Sequence, residues 1–153
     1  MSRKGSTPAK PSKPARSATP TTSGEARVHV SKAVEKLESA AMLLDKGFID
    51  DAVSRAYYAV FHAVVATLRF KQIKLEEHKH VFILNKFRTE FIDPGTFPED
   101  IFFKIQQIKQ VREQADYSAM VVIGKEKAQQ MLVDARQIVE LLKKFFDNSQ
   151  DGK

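Results

Sequence analysis

The stretch DAVSRAYYAVFHAVVATLRF, residues 51–70, decides the fold class, because its apolar residues recur at helical spacing. Residues three, four or seven positions apart lie on one face of an α-helix. The apolar face here consists of Val53, Tyr57, Val60, Phe61, Val64 and Leu68. A helix with such a face must bury it against other elements. The stretch therefore predicts one helix of a packed domain, beginning at Asp50 or Asp51.

The segments on both sides of this helix have the same period. Before it, apolar residues recur from Val30 to Leu44, and Gly47 provides a C-terminal stop. After it, a shorter helix is predicted over residues 77–91. The inward-facing residues of this shorter helix are expected to be Val81, Leu84 and Phe87.

Two more helices are predicted after a break near Pro94. Thr96 and Glu99 have the spacing of a capping box, and Pro98 falls in the first turn, so a fourth helix is expected to start there. Its apolar residues are Ile101, Ile105, Ile108, Val111 and Ala115. A fifth helix, after Gly124, carries Ala128, Leu132, Ala135, Ile138, Leu142 and Phe145.

No segment alternates apolar and polar residues as a half-buried strand would. The predicted fold is therefore all-α: an antiparallel bundle of four long helices plus a short one, covering residues 25–148. The absence of Cys excludes disulfides, thiolate metal sites and cysteine nucleophiles. No apolar run approaches the roughly 18 residues of a membrane span, and the first residues lack a secretory signal. These features predict a cytoplasmic protein without a membrane segment.

The net charge of +6 comes almost entirely from the first 24 residues. That segment carries five basic and no acidic side chains, whereas the rest of the chain carries 20 basic and 19 acidic ones. It is also rich in Pro, Ser and Thr and poor in large apolar residues, so residues 1–24 are predicted to be a disordered tail. The tail is either a solubilising segment or a basic arm that contacts phosphate.

The second helix also has a polar face, opposite Val60 and Val64. At about 100° per residue, its members fall within about 60° of one another. They are Asp51, Arg55, Tyr58, His62 and Arg69. One interpretation is a solvated face, which would explain the charged members. The other is a face that contacts a partner or a ligand, which would explain the Tyr and the His. Both interpretations remain open at this point.

Arg112, in the fourth helix, lies at the margin of the apolar stripe, and Asp116 follows one turn later. An Arg in this position can extend its charge to solvent from an apolar surface, or form half of a buried ion pair. It can also hold a phosphate with its planar fork of donors. His78 and His80 are two residues apart, which on a helix directs them away from each other. We therefore expect no joint metal site there, and no cofactor motif is found elsewhere.

The segment SRAYYAVFH, residues 54–62, resembles the second helix of HEPN-domain proteins, small helical domains of prokaryotic toxin–antitoxin and defence systems. The segments HKHV, residues 78–81, and REQADY, residues 112–117, resemble further motifs of the same branch in the same order, as do Phe91 and Pro98-Glu99. The resemblance covers residues 30–146 and implies an antiparallel bundle that usually forms a homodimer.

The resemblance also implies a reaction and a partner. In active members, an Arg and a His separated by four to six residues meet their copies at the dimer interface and cleave RNA without a metal. Here Arg112 matches the Arg, and Tyr117 stands where many active members have His. A phenol, with a pKa near 10, is a poor general base at neutral pH. The usual partner is a minimal nucleotidyltransferase, which in some systems adenylylates a nearby Tyr.

The resulting hypothesis is a HEPN-type component of a toxin–antitoxin-like pair that binds RNA and acts as a metal-independent endoribonuclease. Its catalytic residues would be Arg112, Asp116 and Tyr117. RNA or a partner would be bound by Arg55, Tyr58, His62 and His78. The alternative is a non-catalytic dimeric module that docks a nucleotidyltransferase or nucleic acid.

Overall fold

The structure, a computed structural model, describes residues 22–75 and 79–151. Over these residues it is all-helical, without a strand, which confirms the predicted fold class. The five α-helices are α1 (Thr22–Asp45), α2 (Ile49–Phe70), α3 (His80–Phe87), α4 (Glu99–Tyr117) and α5 (Lys125–Asp151). A π-helical turn, Arg88–Ile92, continues α3. Residues 1–21 of the predicted tail lie outside the described residues, and Thr22–Gly24 belong to α1.

The α2 helix lies at the centre of the bundle and packs against α1, α3, α4 and α5. Alanines on α1 and α2 are buried and let the two helices approach closely. The contacts His29–His62 and Glu25–Arg69 show that α1 and α2 run antiparallel, because lower numbers on one helix meet higher numbers on the other. The expected bundle of four long helices and a short one is thus confirmed.

The turn between α1 and α2 has a clear chemical cause. Gly47 adopts φ +87°, a left-handed conformation that lacks a steric cost only for glycine. The amide N–H groups of Gly47 and Phe48 donate to the carbonyls of Leu44 and Leu43 at 3.0 and 2.9 Å. These two bonds satisfy carbonyls at the end of α1 and reverse the chain, as the predicted stop at Gly47 requires.

Two local predictions are wrong. Val81 is 58% exposed rather than inward-facing, because α3 begins at His80 and turns Ile83, Leu84 and Phe87 toward the core. The capping box at Thr96 does not form: Pro98 occupies the N-cap position, no side chain caps the helix, and Glu99 is its first residue.

Among the described residues, no helix combines the length and the apolar composition needed to cross a bilayer.

Candidate functional site

Among residues 24–75 and 79–149, Arg112 is the only charged side chain that is buried, with 8% of its surface exposed. Its position in α4 follows from the helical period, since Ile105 and Ile108 on the same side are also buried. Its Nη1 donates to Oδ2 of Asp116 at 3.0 Å, one turn further along α4. Burying a charge is costly unless the charge is paired, so the bond to Asp116 offsets part of the cost of burying this guanidinium.

Three tyrosine rings surround the guanidinium. The Arg112 Cζ atom lies 4.8 Å from the ring centroid of Tyr57, 5.7 Å from that of Tyr58 and 5.9 Å from that of Tyr117. The faces of aromatic rings attract cations, and more strongly where water is excluded. Tyr57 and Tyr58 reach Arg112 from α2, so the contact requires α2 and α4 to pack side by side.

The electrostatics keep Arg112 charged. Burial acts to lower the pKa of Arg112, but the phenol of Tyr117, the two α2 tyrosines and Asp116 more than offset it, and the pKa lies above its ordinary value. The Nε atom of Arg112 is buried and has no hydrogen-bond partner within the described part of the chain. A permanent cation held in one orientation suits the binding of an anionic oxygen.

His80 enters the same group of side chains from the start of α3. Its Nδ1 lies 2.8 Å from the hydroxyl oxygen of Tyr57, and its ring centroid lies 3.9 Å from that of Phe61 and 5.7 Å from that of Tyr58. Burial, followed by the charges of Arg112 and Lys109, lowers the pKa of His80. The imidazole is therefore neutral at pH 7. We call the six residues Arg112, Asp116, Tyr117, Tyr57, Tyr58 and His80 the Arg112 cluster.

The other predicted binding residues lie in different places. Of the four, Tyr58 belongs to the Arg112 cluster. Arg55 is exposed and lines a groove of about 440 Å³ together with Lys36 and Lys46. His62 faces α1, where its Nδ1 lies 3.0 Å from Nδ1 of His29. His78 lies outside the described residues.

Sequence reasoning missed His80 and the second role of Tyr57. The period of α2 correctly assigned Tyr57 to the apolar face, and it is fully buried. The helical period does not predict that the Tyr57 hydroxyl contacts the imidazole of a residue 23 positions later in the chain. The only available signal was that His80 falls within one of the motifs of the family resemblance.

The His29–His62 pair predicts a pH-dependent stability. Burial, then the charges of His29, Lys36 and Lys32, lowers the pKa of His62 to about 4, whereas an unfolded His titrates near 6.5. The unfolded chain thus binds more protons than the folded one between these values, and stability falls as the pH falls. Because the ring is only half-buried, we expect a loss of about 1–2 kcal/mol between pH 7 and pH 4.5.

Urea denaturation at the two pH values measures this loss. A His62→Gln variant cannot titrate at this position, so its stability should fall less than that of the wild type over the same interval. An equal loss of stability in the two proteins would contradict the conclusion that His62 causes the pH dependence.

Chemically, the Arg112 cluster combines a fixed guanidinium, a neutral imidazole, a carboxylate and phenol hydroxyls. Cations and hydrogen-bond donors of this kind stabilise negative charge that develops on phosphate oxygens, and a neutral imidazole accepts a proton. Within residues 22–75 and 79–151, no three His, Asp or Glu side chains converge as metal ligands.

Comparison with known proteins identifies the domain family of this chain. The HEPN domain model matches residues 26–145. A protein of Methanocaldococcus jannaschii named "Putative toxin MJ0142" is 34% identical over 116 residues, which are 76% of this chain and 78% of that protein. A second protein of the same organism, "Putative toxin MJ0605", is 31% identical over 121 residues, covering 78% of this chain and 87% of that protein.

"UPF0332 protein PH1297" of Pyrococcus horikoshii is 38% identical over 80 residues, 52% of this chain and 54% of its own length. With the family model matching most of the chain, the chain belongs to the HEPN domain family. The resemblance inferred from residues 54–62 and 112–117 is thereby confirmed.

Proposed function

We propose that this protein is the HEPN toxin component of a toxin–antitoxin pair, and that it binds and cleaves RNA at the Arg112 cluster. The toxin assignment rests on the names of two relatives that match more than three quarters of the chain. The proposed unit is a homodimer, and the proposed antitoxin is a minimal nucleotidyltransferase. No metal or cofactor takes part in the proposed reaction.

The observation that carries the proposal is the buried Arg112 guanidinium, paired with Asp116 and surrounded by three tyrosine rings. Asp116 and the tyrosines hold the guanidinium in one orientation before any ligand binds, so little ordering is needed when a phosphate arrives. Negative charge grows on the phosphate oxygens as the phosphorus becomes five-coordinate. A fixed cation beside those oxygens lowers the energy of that state more than that of the starting diester.

The test is incubation of the purified full chain with single-stranded RNA in the presence of EDTA. Attack by the ribose 2′-hydroxyl forms the 2′-oxygen–phosphorus bond and breaks the bond to the 5′-oxygen. The expected products therefore carry a 2′,3′-cyclic phosphate and a 5′-hydroxyl. Background cleavage that is equal in the wild type and in an Arg112→Ala variant would refute the ribonuclease proposal.

A second candidate function is a non-catalytic module that docks a nucleotidyltransferase. Tyr117, which stands where many active family members have His, is 76% exposed. The loop that follows α4 also exposes Met120, Val121 and Val122. An exposed phenol next to exposed apolar side chains suits contact with another protein.

Co-purification with a nucleotidyltransferase encoded beside the gene tests this second candidate. Val122→Asp should abolish the capture, because it places a charge in the apolar contact, whereas Val133→Asp on the exposed side of α5 should leave it unchanged. Equal capture by both variants would exclude this loop as the docking surface.

A further inference from the structure

We infer that His80 is the residue that transfers the proton at the Arg112 cluster, in the role that Tyr117 cannot fill. This inference rests on the proposed ribonuclease function and adds a catalytic residue to it. His80 lies on a different helix from Arg112, and it is 32 positions before it in the chain. It therefore falls outside the pattern of an Arg followed closely by a His.

Two aromatic residues join His80 to Arg112. Tyr57 lies with its ring 4.8 Å from the guanidinium carbon and with its hydroxyl oxygen 2.8 Å from Nδ1 of His80. Tyr58 contacts both groups as well, with its ring centroid 5.7 Å from the guanidinium carbon and 5.7 Å from the His80 ring centroid. The imidazole and the guanidinium thus belong to one site, since both lie close to the same pair of rings.

The ring of His80 is held in a defined orientation. Phe61 packs against it at 3.9 Å between centroids, with the planes tilted by 31°, and the Tyr57 hydroxyl fixes the Nδ1 edge. Within the described residues, no hydrogen bond is made to the opposite nitrogen, Nε2. When Nδ1 donates its hydrogen to the Tyr57 oxygen, Nε2 carries a free lone pair and can accept a proton.

Burial and the charges around His80 favour the neutral imidazole over the imidazolium. Burial and the nearby cations Arg112 and Lys109 all lower the pKa of His80. Lys109 is itself paired with Glu113 at 2.6 Å, so part of its charge is offset. Burial raises the pKa of Tyr57, so its phenol keeps its hydrogen and can only donate or accept a hydrogen bond.

The step balances with these groups alone. Nε2 of His80 accepts the proton of the ribose 2′-hydroxyl as the 2′-oxygen attacks phosphorus. The bond from phosphorus to the 5′-oxygen breaks with its electron pair on that oxygen, which receives the proton back from the imidazolium. The imidazole is then neutral again, and the guanidinium has compensated the charge on the phosphate throughout.

The experiment is RNA cleavage by a His80→Ala variant of the full chain, with and without added imidazole. We expect about 100-fold slower cleavage, within the range of general acid–base contributions, and a recovery of at least about tenfold on addition of imidazole. A variant that lacks a merely structural side chain does not recover in this way. A His29→Ala variant provides the control, since its activity should not respond to imidazole.

A His80→Gln variant covers the case in which the Ala variant does not fold, because Gln can still bond to the Tyr57 hydroxyl. Wild-type cleavage should rise with pH below neutrality as His80 loses its proton, and the Gln variant should lack that rise. Wild-type rates in both His80 variants, with activity still dependent on Arg112, would overturn this inference alone. Loss of activity without imidazole rescue and with an unchanged pH profile would also overturn it. An inactive wild type would overturn the proposed function and this inference together.

Discussion

Cleavage of RNA by an Arg112→Ala variant should be about 100- to 1000-fold slower than by the wild type. That range corresponds to the removal of a preorganised donor aimed at charge that develops in the transition state. Arg112 is buried, and its orientation is set by Asp116 at 3.0 Å and by the ring of Tyr57 at 4.8 Å. A small side chain leaves that position without a cation.

One further variant separates charge from geometry, and a second one is a control. Arg112→Lys retains the positive charge without the planar fork of donors, and we expect it to recover only a small part of the activity. Arg136→Ala removes an exposed arginine of α5 and should leave cleavage unchanged. Cleavage rates and thermal unfolding are measured on the same preparations. A fully active, folded Arg112→Ala protein would show that RNA is cleaved at a different site.

The largest loss of stability is expected from Tyr57→Ala, at about 3–5 kcal/mol, the usual cost of removing a large buried aromatic ring. Tyr57 is fully buried in α2 and contacts Tyr58, Phe61 and His80 besides Arg112. The variant loses the apolar contacts of the ring and leaves the Arg112 guanidinium without its nearest aromatic neighbour. Both changes raise the free energy of the folded state.

Tyr57→Phe is the matched variant, because it keeps the ring and removes only the hydroxyl bonded to His80. Its expected cost is about 1 kcal/mol, typical of one hydrogen bond. Phe103→Ala, at a position that is 60% exposed, should change stability by less than about 0.5 kcal/mol. Urea denaturation gives all three values. A loss below about 1 kcal/mol for Tyr57→Ala would mean that the ring is not part of the core.

The helices of this protein follow from local sequence, whereas several contacts of its candidate site do not. The apolar period of residues 51–70 is sufficient to define α2 and its buried face, and the stop at Gly47 is a property of one residue. Arg112 was recognised at the edge of an apolar stripe by the same reasoning. The capping box predicted at Thr96 shows where local sequence is not sufficient. The box does not form, because Phe97 is buried in the core and Pro98 takes the N-cap position.

The polar face of α2 shows the same limit at the site. Tyr58 and His62 were placed within about 40° of each other by helical geometry, yet Tyr58 contacts Arg112 of α4 and His62 contacts His29 of α1. Different helices pack along the two edges of this face. The period of a helix predicts which residues share one of its faces, but it does not predict which other helix packs against each edge of that face.

The sequence by itself determined the all-helical class and the helix on which Arg112 lies, because both depend on spacing along the chain, and its motifs carried the resemblance to the family. Only the tertiary structure decided that His80, Tyr57 and Arg112 form one cluster. Their contacts join α2, α3 and α4, and they arise when the buried faces of those helices pack together. That packing depends on the shape of all the side chains between them, which no single helical period records.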